Sequence, residues 1–209
     1  MSRATTAPIT RYWARFYRAT AGLPPRELLL RTLERIESEG KLHRTKTAID
    51  LGCGAGTDTL ELLRRGWKVL AIDQQVSALE FLSHRVPPRQ RGSLSLLASP
   101  MEGLSLPKAD LIYASFSLPF CTPTGFSKLW KNIRQGLVPG GHFAGQLFGV
   151  RDEWSGKRPL VFHTIRQVRS LTRRYRVELL RETEEEGQSF EGPKHWHLFD
   201  LILEKPRTA

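Results

Sequence analysis

The sequence predicts a doubly wound α/β domain whose parallel sheet ends in a C-terminal antiparallel hairpin. Three observations carry this. Apolar β-type runs alternate with amphipathic helical runs from residue 47 to about 149, joined by short connections. Parallel strands need crossover helices, so this alternation implies a sheet covered on both faces. A glycine turn, "LGCGAG", follows the first of these strands, and the tail after 174 changes to two long strand-like runs.

In chain order, residues 1–24 are polar with interleaved aromatics ("RYWARFYRATAGLPP"), and Trp13 with Phe16 or Tyr17 has helical spacing. Pro24 and Pro25 fit the first turn of a helix through "RELLLRTLERIESEG", where Leu28, Leu29, Thr32, Leu33 and Ile36 recur on one face and Gly40 is the stop. Then come a strand "TAIDL", a helix "GTDTLELLRRG", a strand "WKVLAID", a helix "SALEFLSHRV" and a strand "LSLLAS". A strand "ADLIYASFS", a helix "FSKLWKNIRQGLV" and a strand "GHFAGQLFG" after the turn "PGG" complete the alternation. A basic helix near 163–173 precedes "YRVELLRETEE" and "HWHLFDLILEK", a hairpin joined by the loop "EEGQSFEGPK".

With 209 residues the chain fits one domain that can bury its own core. Its expected parts are an N-terminal helical or lid segment (1–45), a ligand-binding core (46–150) and a C-terminal helix and hairpin (151–209). No apolar run reaches membrane-spanning length, and "MSRATTAPITRYW" lacks the apolar stretch of a secretory signal, which predicts a cytoplasmic protein without membrane association. Cys53 and Cys121 lack partners at metal-ligand spacing and read as reduced thiols. The net charge of +11 attracts acidic small molecules or polyanions, and "RQVRSLTRRYR" is either a solvated helix face or a nucleic-acid footprint.

Ligands of such sheets sit at the carboxyl ends of the strands, where the connections reverse. Gly52, Gly54 and Gly56 clear side chains from a tight turn at that place, and Asp73, closing the next strand, can accept from both hydroxyls of a ribose. A dinucleotide fingerprint reads G-x-G-x-x-G, whereas these glycines read G-x-G-x-G and follow Asp50. A carboxylate there disfavours a pyrophosphate and suits a ligand bearing an ammonium group and a ribose. S-adenosylmethionine is such a ligand.

At this point the chain resembles the class I S-adenosylmethionine-dependent methyltransferases, from about residue 47 onward. "AIDLGCGAG" is similar to their first motif, Asp73 to their ribose-binding acid, and "LVPGGHF" to their turn into the fifth strand. The resemblance implies a Rossmann-like, mostly parallel seven-stranded sheet and a donor site comprising Asp50, Gly52, Cys53, Gly54, Gly56, Asp73, Gln74, Met101, Glu102 and Ser115. The adenine-binding segment departs from the family: "SPMEGLSLP" has Pro100 where an acid is common. Glu102 or Ser99 must then meet the adenine amino group, and Met101 lies against the ring or belongs to the core.

Methyl transfer needs positioning and dryness more than a base, so the catalytic residue stays unassigned, with Tyr17, Ser115 and His163 as candidates, His163 being otherwise a structural or exposed residue. The Asn/Asp-Pro-Pro-Tyr sequence of adenine and glutamine methyltransferases is missing. "SFSLPF" instead offers Ser115, Phe116 and Ser117 as an apolar wall with small hydroxyls, suited to a small acceptor or to plain packing. The aromatics Tyr12, Trp13, Phe16 and Tyr17 sit where the tellurite- and thiopurine-type branch has its lid helices, and also fit a helix simply docked on the core. Arg26 is either a partner for the donor carboxylate or a surface residue. His195 and His197 share one strand face, but no third ligand accompanies them, so no metal is expected. A small-molecule methyltransferase leads; RNA methylation through the basic C-terminal surface, or a non-catalytic donor-binding module, are the alternatives. The oligomeric state is not legible.

Overall fold

The computed structural model describes residues 6–38 and 45–207, with side chains from residue 11 onward. Helix α1 (Thr6–Thr20) is followed by α2 (Glu27–Ser38), β1 (Thr47–Leu51), α3 (Thr57–Arg64), β2 (Lys68–Asp73), α4 (Val76–Arg85), β3 (Leu94–Ala98) and β4 (Ala109–Ala114). Then come α5 (Pro123–Gly136), β5 (Leu137–Gly149), β6 (Phe162–His163), α6 (Ile165–Thr172), β7 (Arg176–Ser189) and β8 (Gly192–Glu204). The sheet runs β3-β2-β1-β4-β5-β8-β7. Strands β1 to β5 pair in parallel, and β8 joins β5 and β7 antiparallel. This is the expected doubly wound sheet with its hairpin. A two-residue eighth strand, β6, adds to the end of β5, too short to leave a periodic signal.

Alternation along the strands divides the core. Ile49, Leu51, Ile112 and Phe143 face α5, where Phe126, Leu129, Trp130 and Ile133 pack on them. Ala48, Val69, Leu111 and Tyr113 face the other way, onto Leu29 and Leu33 of α2 and Leu62 of α3. Leu29 and Leu33 are fully buried, and truncating either to Ala would cost roughly 2 to 5 kcal/mol. Pro24 and Pro25 lie just before α2 rather than in its first turn, and Gly40 falls outside the described residues. Helix α6 starts at a capping box in which Thr164 and Gln167 bond each other's backbone. Among the described residues no helix is long and apolar enough to cross a membrane.

The hairpin corrects one expectation. "EEGQSFEGPK" is not a loop: β7 and β8 stay paired to Ser189 and Gly192, leaving only Phe190 and Glu191 to turn. The run "ETEEEGQS" hides its strand because most of its residues are exposed, so no apolar alternation marks it. Cross-strand pairing with the histidines of β8 supports it instead: His195 bonds Glu186 at 2.6 Å and Glu184 at 3.1 Å.

Candidate active site

The strand order reverses between β1 and β4, and a cavity of about 680 Å³ opens at their carboxyl ends. Its floor is the turn between β1 and α3. Gly52 and Cys53 donate to the Ile72 carbonyl at 2.7 and 3.0 Å, which folds the turn back onto β2. Gly54 has φ of 53°, and a Cβ there would come within 3.2 Å of the Tyr17 ring. Only a residue without a side chain leaves that gap open.

Two acids stand behind the turn, Asp50 buried and Asp58 half-buried. Asp50 accepts from the Thr59 hydroxyl at 2.6 Å, and burial together with the neighbouring Asp58 pushes its pKa up to about 7. Asp58 accepts from the Arg26 backbone N–H at 2.9 Å, and burial raises its pKa as well. Asp73, buried at the end of β2, accepts from Gln75 N–H (2.8 Å) and Gly54 N–H (3.0 Å), tying the two loops together. Desolvation raises its pKa, and those backbone donors oppose the rise. Tyr17, reaching down from α1, also donates to Asp73, and burial beside that carboxylate pushes its phenol pKa upward.

Residues after β4 form the next wall. Ser117 is fixed by donating to the Leu51 carbonyl at 2.6 Å. Phe116 has φ of 51°, a left-handed conformation that costs a non-glycine residue on the order of 1 to 3 kcal/mol. Its N–H donates to Gln146, which donates to Asp200, which in turn accepts from Arg181. That chain of bonds holds the Phe116 ring toward the cavity. Met101 and Glu102 line the opposite side, but the Glu102 carboxylate is engaged by the Thr122 hydroxyl and N–H at the start of α5. Ser99 donates to the Pro100 carbonyl and is not among the lining residues.

The remaining half of the cavity is aromatic. Phe120, Phe148, Trp154 and Trp196 line it, with Trp13 closing over Phe120 at 5.2 Å between ring centroids. Phe190, at the hairpin tip, lies 5.6 Å from both Tyr12 and Phe16. Beneath Trp196 the buried Lys194 ammonium sits 3.7 Å from the ring centroid and 2.5 Å from Asp152.

The cavity thus gathers every residue expected at the donor site, Asp50, Gly52, Cys53, Gly54, Gly56, Asp73, Gln74, Met101, Glu102 and Ser115, together with Tyr17 and Arg26. His163 does not line it: the imidazole is buried 4.7 Å from the Phe126 ring, and desolvation lowers its pKa to about 4. The His195 and His197 rings are held by carboxylates of β7, with Glu182 on His197. Asp58, Phe148, Trp154 and Phe190 escaped sequence reasoning. Asp58 could have been found from its place in the first turn of α3; the aromatics come from segments joined only by folding.

Residues 48–141 match the family described as a methyltransferase domain. A carboxy-S-adenosyl-L-methionine synthase of Shewanella pealeana is 32% identical over 97 residues, covering 44% of this chain and 40% of that protein. The chain therefore spans less than half the length of this curated relative. Among solved structures, TehB from Haemophilus influenzae superposes with a TM-score of 0.67 at 16% identity, covering 82% of this chain and 62% of TehB. Magnesium protoporphyrin IX methyltransferase from Synechocystis PCC 6803, with S-adenosylmethionine bound, does so at 0.63 and 13%, covering 85% and 77%. The resemblance to the methyltransferases holds over residues 48–141, and the solved structures share the fold.

Proposed function

We propose that this chain, a Rossmann-like fold carrying a methyltransferase domain over residues 48–141, transfers a methyl group from S-adenosylmethionine to a small-molecule acceptor. The observation that carries this reading is one cavity in which a side-chain-free turn, the buried Asp50 with the half-buried Asp58, and Asp73 converge. The residues fit the donor's parts. Asp50 and Asp58 would hold an ammonium group, Asp73 the ribose hydroxyls and Met101 one face of adenine. Arg26, the one cation among the described lining residues, would pair with the carboxylate. Glu102, being committed to Thr122, would meet the adenine amino group only through a lone pair left over from that bond.

When bound, the donor supplies an activated methyl group on a sulfonium. The protein's part is positioning and exclusion of water. Helix α1 and the hairpin tip cover the cavity with rings, and aromatic faces are attracted to positive charge. Helix α1 thus acts as the lid, with residues 46–150 as the donor core and 151–209 as the remaining acceptor wall, in a cytoplasmic enzyme. No lining side chain among the described residues is a histidine or lysine, so the acceptor atom attacks already deprotonated, or with Tyr17, Ser115 or a lining carboxylate such as Glu185 taking part.

Calorimetry with S-adenosylmethionine and its demethylated product tests this directly. Wild type should bind both; Asp73→Ala should lose roughly 1 to 3 kcal/mol, the scale of charge-assisted hydrogen bonds. Gly54→Val should abolish binding. Binding of a nicotinamide dinucleotide in place of the donor would overturn the reading, and binding without methyl incorporation into any thiol, phenol or amine would favour a non-catalytic module.

One observation favours RNA as the acceptor instead. Helices α5 and α6, joined by the Trp130 indole bond to the Leu171 carbonyl, carry Lys128, Lys131, Arg134, Arg166 and Arg169, followed by Arg173 and Arg174, and no acid. RNA methylation at low salt that Arg169→Glu, Arg173→Glu and Arg174→Glu abolish together would promote that alternative.

A further inference from the structure

The acceptor half of the cavity has a definite electronic character. Phe116, Phe120, Phe148, Trp154 and Trp196 surround it, and three cations near these rings already occupy aromatic faces. Lys194 lies 3.7 Å from the Trp196 centroid and 4.5 Å from that of Trp154. Arg26 lies 5.0 Å from the centroid of Phe116, and Arg158 lies 4.3 Å from that of Trp154. Lys194 is not itself a lining residue, so it covers one side of Trp196 and leaves the cavity the remaining face and edge.

A cation on one face draws the π-electrons of a ring toward itself. A second cation on the far face then meets a weakened quadrupole and like-charge repulsion, whereas a neutral electron-rich ring meets a surface made more attractive. Geometry points the same way. Phe116 and Phe148 both stand edge-on to Trp196, with centroids 5.9 Å away, so the walls offer faces and edges at right angles. Such a slot accepts a flat ring by stacking and edge contacts together. The strained backbone of Phe116, held through Gln146, keeps one wall fixed before any ligand arrives.

We infer that the acceptor is an uncharged, electron-rich planar aromatic molecule bound among Trp196, Trp154 and Phe116. This deepens the methyltransferase reading and rests on the donor occupying the Asp50–Asp73 half. Aliphatic and cationic acceptors of equal size are disfavoured, the first for lack of a π-face and the second because Lys194, Arg158 and Arg26 hold wall faces.

Calorimetry on the full chain, with and without S-adenosylmethionine, should compare three two-ring probes: 2-naphthol, decahydro-2-naphthol and 1-methylquinolinium. The expected result is at least tenfold tighter binding of 2-naphthol than of either other probe. Trp196→Leu should erase that preference while donor affinity persists. Because Trp196 rests on a buried ion pair and its loss could unfold the chain, Phe120→Leu, at a residue 40% exposed, serves as the second variant and should cut the preference at least threefold. Equal or tighter binding of decahydro-2-naphthol or 1-methylquinolinium, or no binding of any probe, would overturn the inference. Since the probes are also titrated alone, loss of donor binding with the naphthol preference intact would remove the methyl-transfer reading and leave the aromatic slot standing.

Discussion

The Tyr17 hydroxyl donates to Asp73 Oδ1 at 3.3 Å, joining α1 to the end of β2 across 56 positions of sequence. This one bond couples the cover of the cavity to the carboxylate that would hold the ribose. Both partners are buried, so water does not readily substitute for either.

Tyr17→Phe should therefore bind S-adenosylmethionine up to about tenfold more tightly, because the phenol competes with the ribose for Asp73 and a hydrogen bond contributes roughly 1 kcal/mol. The same variant should be cut faster by protease between Thr20 and Leu23, since α1 would lose its bond to β2 and keep only apolar packing and the Arg85 bond to the Ala21 carbonyl. Weaker donor binding would show that the hydroxyl supports the ligand rather than competing with it.

Asp50 predicts opposite pH trends for stability and binding. The unfolded chain ionises this group near pH 4 and the folded chain near 7, so between those values the folded state holds the extra proton. Stability from this group is complete below about pH 4 and is lost as pH rises through 7. Thermal melts of wild type minus Asp50→Asn should show that slope. Donor affinity should rise over the same upper range, from pH 6 to 8, as the carboxylate needed by the ammonium forms. An Asn variant with an unchanged pH profile in both measurements would remove Asp50 from the donor site.

The pair Lys194–Asp152 should behave as a single unit. Burial lowers the Lys194 pKa while Asp152 raises it, and both side chains are at most 1% exposed. Asp152→Asn or Lys194→Met alone should destabilise by about 3 to 5 kcal/mol, because each strands a buried charge. The double variant should recover much of that loss in denaturant melts. Additive losses would mean that the two groups are not coupled.

Most of the donor side was legible because its chemistry is local. Gly52 to Gly56 and Asp73 lie within 25 residues, in the turn after β1 and at the end of β2, and their spacing, together with Asp50, disfavours a dinucleotide loop. The acceptor side was not. Trp154 and Trp196 meet because the Asp152–Lys194 pair and the Glu153–His195 bonds draw the segment after β5 onto β8, and no spacing rule links such positions. Phe190 was hidden for another reason: β7 is stabilised by glutamate–histidine pairs rather than by apolar burial, so its charged run reads as a loop. His163 invited a catalytic role as an isolated histidine after β5, yet β6 turns it inward against Phe126.

The entrance is bounded by α1 on one side and the hairpin tip on the other, and their meeting at Phe190 is an aromatic contact between distant parts of the chain. Helix α1 is not woven into the sheet, and Tyr17 is its one fully enclosed side chain among the described residues. It can therefore swing away and return while every strand stays paired, as a local opening far cheaper than unfolding. Traffic through the cavity would then be governed by how often that helix lifts, and turnover would slow wherever its docking is strengthened.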